Sequence, residues 1–285
     1  MSGKTWFTPL TEDVTRIVVH GGTEPPGTGE LLDNKLAGSY QCARCHSTLY
    51  RSTDKFDSGC GWPSFDDSVD GAVRSLPDPD GRRVEIRCAR CDGHLGHVFT
   101  GEGFTQKNTR HCVNSLSMTF VPAQRAEAYL GGGCFWGVEH YLQELDGVLD
   151  AESGYMGGHL DAPSYREICS GATGHAEIVK VTFDPDVISF KAVAKRFFEI
   201  HDPTQVDRQG PDRGPQYRSV VFAQGAGQAA DAAALIEELT TLGFAVATKI
   251  EPAQRYWPAD PNHQDYYART GALPYCHTPV DRFSS

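Results

Sequence analysis

Short apolar runs set among polar turn-forming residues dominate the first 122 residues of the chain. Examples are VEIR at 84–87, HVF at 97–99 and LSMTFV at 116–121, each close to Gly, Asp or Ser. Such runs are typical of β-strands bounded by turns. A long amphipathic helix is not evident after the first twenty residues. The pattern therefore predicts a mainly antiparallel β fold for this part of the chain.

The pattern changes after residue 126, where longer helical periods alternate with apolar strands. The predicted strands are 127–131, 148–154, 177–183, 219–223 and 245–250, and the predicted helices are 134–145, 189–200 and 228–242. Ser189 is the predicted N-cap of the second helix, which carries its phenylalanines on one face. The order β-α-β-β-α-β-α-β predicts an α+β two-layer sandwich of split βαβ, ferredoxin-like type. The proline-containing tail 251–285 is expected to wrap the surface.

Length and charge support two domains. The chain has 285 residues, which is about the length of two ordinary domains. Residues 1–124 carry 13 basic and 15 acidic side chains, net −2, whereas residues 125–285 carry 13 and 22, net −9. We predict domains at 1–122 and 127–285, joined by a linker at 123–126.

The same composition excludes several functional classes. The net charge of −11 argues against nucleic-acid binding, which needs clustered Lys and Arg. Apolar stretches stay well below the ~18 residues of a membrane span, and the N-terminus lacks the apolar core of a signal peptide. We therefore expect a cytoplasmic protein that binds neither nucleic acid nor membrane.

Nine cysteines are the strongest chemical signal in the sequence. In a reducing compartment this number indicates metal binding and thiol chemistry rather than a disulfide framework. Two CARC motifs, at 42–45 and 88–91, offer four thiolates, the ligand set of a structural zinc site. The alternatives are a pair of redox Cys-x-x-Cys motifs or four unligated thiols. Neither motif opens a helix after a strand, as a thioredoxin-like site would.

Two further cysteines lie in the first half. Cys60 is in the tight Gly/Pro loop SGCGWPSF, and Cys112 is in RHCVNS at the head of a predicted strand. Arg110 and His111 flank Cys112, and cationic neighbours lower the pKa of a thiol. Strand alternation predicts that Arg110, Cys112 and Asn114 share one face.

The HLGH segment follows the second CARC motif directly. Its two histidines, His94 and His97, could bind a metal, but four cysteines already complete a zinc shell. The alternative is that both are ordinary core or surface histidines.

Cys134 lies in GGGCFWG (131–137), between a predicted strand and a predicted helix. The free N–H groups and positive dipole of a helix N-terminus favour a thiolate, so we expect a lowered pKa. A phosphate-binding loop is a weak alternative, because no Lys-Ser/Thr follows the glycines. A buried structural cysteine is the other alternative.

The motifs CARCH, GCGWPSF, CDGHLGHVF and RHCVNS, in this order, resemble type B methionine sulfoxide reductases across residues 5–122. The resemblance implies that Cys112 is the attacking thiolate, that Cys60 is the resolving thiol, and that Cys42, Cys45, Cys88 and Cys91 bind a structural zinc. It implies a methyl-binding wall at Trp62, with His94, His97, Arg110 and Asn114 around the sulfoxide oxygen and the thiolate. Where that family often has an acidic residue soon after HVF, this chain has Thr100 and Gly101, followed by Glu102.

The motifs GGCFWG, SYREICSGATGHAE, HDPTQVDRQGPDRGPQYRS and PADPNHQDYY resemble type A methionine sulfoxide reductases across residues 127–276. The resemblance implies that Cys134 is the nucleophile and that Phe135 and Trp136 form the methyl pocket. It further implies Glu177, Tyr165 and Tyr217 around the sulfoxide oxygen and Asp212 on the substrate backbone. Cys276 matches a resolving cysteine by its position in the tail, although ARTGALPYC replaces the usual Asn-Pro-x-Gly-Tyr-Cys approach. We predict that Cys169 is a buried bystander.

The two resemblances together imply a fusion that reduces methionine sulfoxide, free or in proteins, with the R epimer assigned to the first half and the S epimer to the second. Thiolate attack would leave a sulfenic acid, a second cysteine would form a disulfide, and thioredoxin or a similar dithiol would reset the enzyme. A dissociable organic cofactor is not expected. The rival functions are a non-catalytic redox sensor and a general thiol–disulfide oxidoreductase. Neither needs aromatic pockets beside the thiols, and only a reductase turns over a sulfoxide repeatedly.

Overall fold

The computed structural model describes residue 7 and residues 9–78 and 81–284. The chain divides into two units, Met1–Ala123 and Gln124–Ser285, which are described separately below. Within the described residues, no helix combines the length and the apolar character needed to cross a membrane.

The first unit is built almost entirely from antiparallel strands. Its described elements are α1 (Glu12–Val18), β1 (Gly38–Cys42), β2 (Thr48–Arg51), β3 (Lys55–Phe56), β4 (Ser64–Phe65), β5 (Val73–Pro77), β6 (Val84–Cys88), β7 (His94–Thr100), β8 (Thr109–Val113) and β9 (Met118–Pro122). The strands form one sheet in the order β2-β1-β9 and another in the order β3-β4-β8-β7-β6-β5. The predicted antiparallel β fold is confirmed. The predicted strand at 116–121 is wrong at its start, because a 3-10 turn at Ser115–Ser117 precedes β9.

Aromatic packing fixes the core of the first unit. Phe65 of β4 stacks on Tyr50 at 4.3 Å between ring centroids and meets Tyr40 edge-on at 5.0 Å. All three side chains are fully buried. Burial of rings of this size is a major source of stability in a small domain. The core thereby supports β4 and its neighbour β8, where Ser64 lies opposite Cys112.

The second unit is a mixed sheet with helices. Its described elements are β10 (Ala126–Gly132), α2 (Phe135–Leu142), β11 (Val148–Met156), α3 (Tyr165–Cys169), β12 (Ala176–Phe183), α4 (Phe190–Ile200), β13 (Arg208–Gln209), β14 (Asp212–Arg213), β15 (Ser219–Ala223), α5 (Ala226–Thr241), β16 (Lys249–Pro252), β17 (Trp257–Pro258) and α6 (Tyr266–Thr270). The main sheet has the order β16-β15-β10-β12-β11-β17, and β13 pairs with β14. β12 therefore lies between the two strands that α2 connects.

Several predicted elements agree with the structure and some do not. The strand at 219–223 and the helix that follows the Ser189 cap are confirmed. The helix predicted at 134–145 is shorter, because it ends at Leu142. α3 was not predicted, although Ser164 and Glu167 form the capping box that signals its start. The tail contributes regular structure, since its strand β17 pairs with the edge strand β11.

Glu139 ties α2 to two other segments through a buried carboxyl group. Its oxygens accept hydrogen bonds from the backbone N–H groups of Ser153 at 3.2 Å and Asp265 at 2.9 Å. Burial raises the pKa of Glu139 from its usual 4.5 to about 7. Above pH 4.5 the unfolded chain loses this proton, whereas the folded chain keeps it until about pH 7. The stability from this group is therefore complete below pH 4.5 and is lost as the pH rises through 7.

Glu139→Gln is expected to remove the resulting pH dependence, on the order of 3 kcal/mol, from the second unit. Urea titrations at pH 5 and pH 8, resolved by hydrogen-exchange mass spectrometry of second-unit peptides, measure the difference. Glu238→Gln is the matched control, because Glu238 is exposed on α5 of the same unit. Equal pH dependence in the wild-type chain and the Glu139→Gln variant would contradict the assignment.

Candidate active sites

The two CARC segments form turns of the same shape. β1 ends at Cys42 and β6 ends at Cys88, and each chain then folds back on itself. The N–H of His46 donates to the carbonyl of Cys42 at 2.9 Å, and the N–H of Asp92 donates to that of Cys88 at 3.0 Å. His46 and Asp92 both have positive φ, 57° and 63°, which closes each turn. The four cysteine side chains consequently converge.

The sulfur positions suit a tetrahedral metal ion. The Sγ atoms of Cys42, Cys45, Cys88 and Cys91 all lie within 4.8 Å of one another. The Cys42–Cys91 separation is 3.5 Å and the Cys45–Cys88 separation is 3.6 Å. Zn–S bonds of about 2.3 Å place tetrahedral sulfurs about 3.8 Å apart. Among the described residues, His94 and His97 do not belong to this cluster.

Cys112 and Cys60 form a thiol pair in the first unit. Their Sγ atoms are 3.7 Å apart, with Cys112 on β8 and Cys60 in the loop before β4. Burial and the neighbouring Cys60 raise the pKa of Cys112 to about 12. Burial also opposes ionisation of Cys60, but hydrogen bonds from Ser58 and Ser64 hold its pKa below the usual value. The expected low pKa of Cys112 is therefore wrong for the reduced pair, in which the two thiols compete for one negative charge.

Only one of the two predicted cationic neighbours faces Cys112. Arg110 lies close enough to lower the pKa of the thiol, which confirms that these two side chains share a face. Its guanidinium binds Glu102 with two hydrogen bonds, at 2.8 and 2.9 Å, and lies over the ring of Phe99. His111 belongs to the other face, where its Nδ1 contacts the Tyr50 hydroxyl at 3.1 Å.

The two histidines of HLGH are each held by a carboxylate. The Nδ1 of His94 is 2.6 Å from Glu85, and the Nε2 of His97 is 2.5 Å from Asp78. Since a carboxylate only accepts, these nitrogens carry the hydrogens. The Nε2 of His94 is buried without a hydrogen-bond partner among the described residues. Burial lowers the pKa of His94, which favours the neutral ring.

Strand register explains how these histidines reach the thiols. A bulge in the β6–β7 pairing skips Leu95, so His94 and His97 meet with ring centroids 5.7 Å apart. His97 lies directly opposite Cys112 in the β7–β8 pairing. The carboxylates of Asp78 and Glu85 were not predicted, because they come from the β5–β6 hairpin and no local motif marks them.

The segment around Glu24 places two further predicted residues. The indole Nε1 of Trp62 donates to the Glu24 carbonyl at 3.0 Å, which leaves the ring half-buried beside the Cys60 loop. The Asn114 side chain accepts from the Glu24 N–H at 3.0 Å and donates to the Leu95 carbonyl at 3.0 Å. The structure therefore places Asn114 as a link between backbone segments rather than as a group aimed at the thiol.

In the second unit, Cys134 is the N-cap residue of α2 and is only 5% exposed. The Cys276 thiol and the backbone N–H of Trp136 lie near its sulfur, which makes no side-chain capping hydrogen bond to α2. The Cys276 thiol and burial raise the pKa of Cys134, whereas the Trp136 N–H lowers it. The predicted effect of the helix N-terminus is present, but the predicted net lowering of the pKa is wrong for the reduced pair.

A buried carboxyl group lies beside this thiol. Glu177 on β12 is 1% exposed, and its Oε2 accepts from the Phe135 N–H at 3.2 Å. Its Oε1 and the hydroxyl of Tyr155, the opposite residue on β11, are buried without a hydrogen-bond partner among the described residues. Burial and Cys134 raise the pKa of Glu177 well above its usual value, so the group is a carboxylic acid. Tyr165 and Tyr217 lie near Glu177, and burial and this carboxyl raise the pKa of both phenols.

Aromatic side chains lie around Cys134 and Glu177. Phe135 is buried, with Tyr155 and His263 at centroid distances of 5.8 and 5.4 Å. Trp136 stacks on Tyr266 at 3.8 Å, and its indole N–H donates to His263 at 3.2 Å. His263 and Tyr266 were not singled out from the sequence, although both lie in the PADPNHQDYY motif.

The tail and α3 supply the remaining predicted residues. Asp212 accepts a hydrogen bond from the Tyr275 hydroxyl at 3.0 Å, next to Cys276, so its carboxylate holds the tail. Cys169 is exposed, and the prediction that it is buried is wrong. α3 has only five residues and buries Ile168, which leaves the following Cys169 at the surface beside Tyr165.

Two family models match this chain, one over each half. A family model described as "Peptide methionine sulfoxide reductase" matches residues 126–285, and one described as "SelR domain" matches residues 10–122. "Peptide methionine sulfoxide reductase MsrA" of Natronomonas pharaonis is 48% identical over 154 residues, which cover 53% of this chain and 86% of the relative. "Peptide methionine sulfoxide reductase B5" of Oryza sativa subsp. japonica is 57% identical over 123 residues, which cover 43% of this chain and 90% of the relative. The crystal structure of reduced Mxr1 from Saccharomyces cerevisiae matches 56% of this chain and 95% of its own, with a TM-score of 0.52 and 35% identity.

Proposed function

From the premise that the chain belongs to the peptide methionine sulfoxide reductase family, we propose that its two halves reduce opposite epimers of methionine sulfoxide. The chain is an enzyme that reduces methionine sulfoxide to methionine. The first half takes the R epimer and the second half the S epimer, by their resemblance to the type B and type A enzymes. Oxidation at sulfur yields both epimers, so a chain with both sites repairs all of the product. Oxidised proteins and the free amino acid are the proposed substrates.

The buried Glu177 carboxyl group beside Cys134 is the observation that carries the mechanism of the second half, because its raised pKa favours the protonated form. The Cys134 sulfur attacks the sulfoxide sulfur, and the sulfoxide oxygen takes the Glu177 proton. The unpartnered Oε1 of Glu177 and hydroxyl of Tyr155 support the binding of that oxygen beside them. The bond between the methionine sulfur and the hydroxyl group then breaks, the hydroxyl group passes to the sulfur of the attacking Cys134 thiolate, and methionine leaves with Cys134 as a sulfenic acid. Phe135 and Trp136 receive the S-methyl group by apolar contact.

Formation and reduction of a disulfide then return the second half to its reduced state. The Cys276 sulfur attacks the Cys134 sulfenic sulfur, and the S–O bond breaks with release of water. The proximity of the Cys276 thiol to Cys134, which raises the pKa of Cys134, supports this pairing. An external dithiol, for which thioredoxin is the proposed source, reduces the Cys134–Cys276 disulfide by thiol–disulfide exchange.

The first half uses the same chemistry with different groups. Cys112 attacks, and Cys60 at 3.7 Å resolves the sulfenic acid. Arg110, fixed by Glu102, stabilises the negative charge on the attacking sulfur. His97, with water, supplies the proton for the departing oxygen, and the bare Nε2 of neutral His94 accepts a hydrogen bond from that water. Trp62 forms the wall that receives the methyl group.

Zinc is the proposed ion of the four-cysteine cluster. Its sulfur-only ligands, closed shell and separations of 3.5 and 3.6 Å fit a structural site. Zinc in such a site supplies folding energy and takes no part in the reaction.

In the second half, the strand order β15-β10-β12-β11 supports the ferredoxin-like type.

Glu177→Gln tests the proposed acid. The amide cannot donate a proton to the oxygen, so methionine formation from the S epimer is expected to slow by about 100-fold or more, with the R epimer unaffected. In the wild-type chain this rate is expected to fall as the pH rises through the raised pKa of Glu177, and the Glu177→Gln variant should lack that fall. Single-turnover measurements of methionine from each epimer across a pH range of about 6 to 10 provide both readouts.

Glu237→Gln, at an exposed position on α5, is the control for the loss of one carboxyl group. It should behave as the wild-type chain does. A Glu177→Gln variant with an unchanged rate and pH profile would exclude Glu177 as the acid.

A further inference from the structure

His277 joins the tail to the first turn around Cys134. It is 2% exposed, and its Nδ1 is 3.0 Å from the Cys276 sulfur. Its Nε2 is 2.8 Å from the carbonyl oxygen of Gly132. The imidazole therefore lies between the strand that leads to Cys134 and the second cysteine.

The hydrogen-bond partners fix the tautomer of this ring. A carbonyl oxygen only accepts, so Nε2 must carry a hydrogen and donate it to Gly132. The neutral ring then has a lone pair at Nδ1, and the thiol of Cys276 donates to it. Burial lowers the pKa of His277, so the ring is neutral and able to accept a proton at pH 7.

The glycines of GGGCFWG make room for this ring. A Cβ atom at Gly137 would lie 2.2 Å from the Nδ1 of His277, and one at Gly133 would lie 3.5 Å from its Cε1. The 2.2 Å distance from a Cβ at position 137 to Nδ1 is far shorter than van der Waals contact, so the glycine at 137 is needed for the ring to pack on α2. His277 therefore holds Cys276 against the helix that Cys134 caps.

We propose that His277 is the general base of the disulfide-forming step and the residue that positions Cys276 for it. The proposal rests on the assignment of Cys276 as the resolving thiol. The Cys276 sulfur attacks the sulfur of the Cys134 sulfenic acid while its proton passes to Nδ1 of His277. The Cys134 S–O bond breaks, and the departing hydroxide takes that proton from the imidazolium and leaves as water. The products are the Cys134–Cys276 disulfide, one water molecule and the neutral imidazole.

The groups around His277 suit a transient positive charge. Asp212 and the Gly132 carbonyl both raise the pKa of His277, so they stabilise the imidazolium once it forms. A positive charge on His201, which is buried near His277, would oppose the imidazolium. Burial lowers the pKa of His201 to about 3, so His201 stays neutral. The thiol of Cys276 also faces the ring, at Nδ1.

His277→Gln and His277→Asn separate the base from the positioning role. Glutamine can keep the N–H donation to Gly132, and asparagine can keep an acceptor near the Cys276 thiol, but neither amide takes up a proton. In a full chain that also carries Cys60→Ser and Cys112→Ser, the burst of methionine should keep its rate in both variants. Disulfide formation, followed by rapid quenching with an alkylating agent and mass spectrometry, should slow by about 100-fold or more in both.

The pH profile provides the readout that a purely structural role would leave unchanged. In the parent chain, the rate of disulfide formation should fall at low pH as the imidazole becomes protonated. Both variants should lose that step and instead follow the ionisation of the thiol. His159→Gln, at an exposed histidine of the same unit, should match the parent chain.

Each contrary result has a separate meaning. A His277→Gln variant with the parent rate and pH profile would overturn the base role. Slow disulfide formation with an unchanged pH profile would leave His277 with positioning alone and would also overturn it. If the Cys276→Ser variant still formed a disulfide at Cys134 at the parent rate, another cysteine would be the resolving thiol. The assignment of Cys276 in the proposed function would then be wrong. An intact methionine burst in each variant shows that the second unit is folded.

Discussion

Serine in place of Cys134 is expected to abolish reduction of the S epimer and to leave reduction of the R epimer unchanged, and Cys112→Ser is expected to do the opposite. The reason is that each half holds its own pair of thiols. The Cys112 sulfur has the Cys60 sulfur at 3.7 Å, and Cys134 lies near Cys276. A serine hydroxyl is far less acidic and less nucleophilic than a thiol, so it cannot replace the attacking sulfur.

Separated epimers of a blocked methionine sulfoxide, with thioredoxin as reductant, measure the two activities in the full chain. Loss to background on one epimer is the expected result for each variant. Cys169→Ser is the matched control, because Cys169 is exposed and outside both thiol pairs. If either single substitution removed both activities, the two-site division would be wrong. If the losses were exchanged between epimers, the two sites would stand and the assignment of epimers would be reversed.

The elements and thiols that local patterns determine were predictable. The two CARC turns are set by local hydrogen bonds around Cys42 and Cys88, so each Cys-x-x-Cys pair was predictable, whereas the meeting of the two turns depends on the fold. α4 has a side-chain cap at Ser189 and a continuous apolar face, and both signals are local. Strand alternation placed Arg110 beside Cys112 for the same reason.

Partners from other strands were not predictable. Asp78, Glu85 and Glu102 hold His97, His94 and Arg110, yet no spacing rule connects these pairs in the sequence. Their meeting depends on strand register and on the bulge at Leu95, and register follows from the packing of the whole sheet.

The pKa values of the two nucleophilic thiols were also not predictable from local sequence patterns. Cationic neighbours and a helix N-terminus favour thiolates, and both effects are present. The sequence could not show that each nucleophile is buried against a second thiol, which raises the pKa of the nucleophile more than those effects lower it. Attack in each half therefore requires the nucleophilic thiol to lose its proton beside a second thiol.

The four-cysteine cluster is expected to decide whether the first half folds at all. Structural zinc contributes about 10–16 kcal/mol in small domains, and whole domains are stable by only about 5–15 kcal/mol. Cys42 and Cys88 end β1 and β6, which belong to different sheets, so the ion would join both sheets of this unit. Loss of the ion would release both turns and leave four buried sulfurs without a charge partner.

Cys88→Ser is therefore expected to unfold the first unit and abolish reduction of the R epimer, while the second unit keeps its activity on the S epimer. Removal of zinc from the wild-type chain by a strong chelator should have the same effect, and readdition of zinc should reverse it. Zinc content, hydrogen exchange of peptides from β6 to β8 and activity on each epimer are the measurements. Cys169→Ser again serves as the matched control, since it removes a thiol without touching the cluster. A zinc-free first unit that kept slow hydrogen exchange and full activity would show that the cluster is dispensable, because the protein core alone would then supply the stability assigned here to the metal.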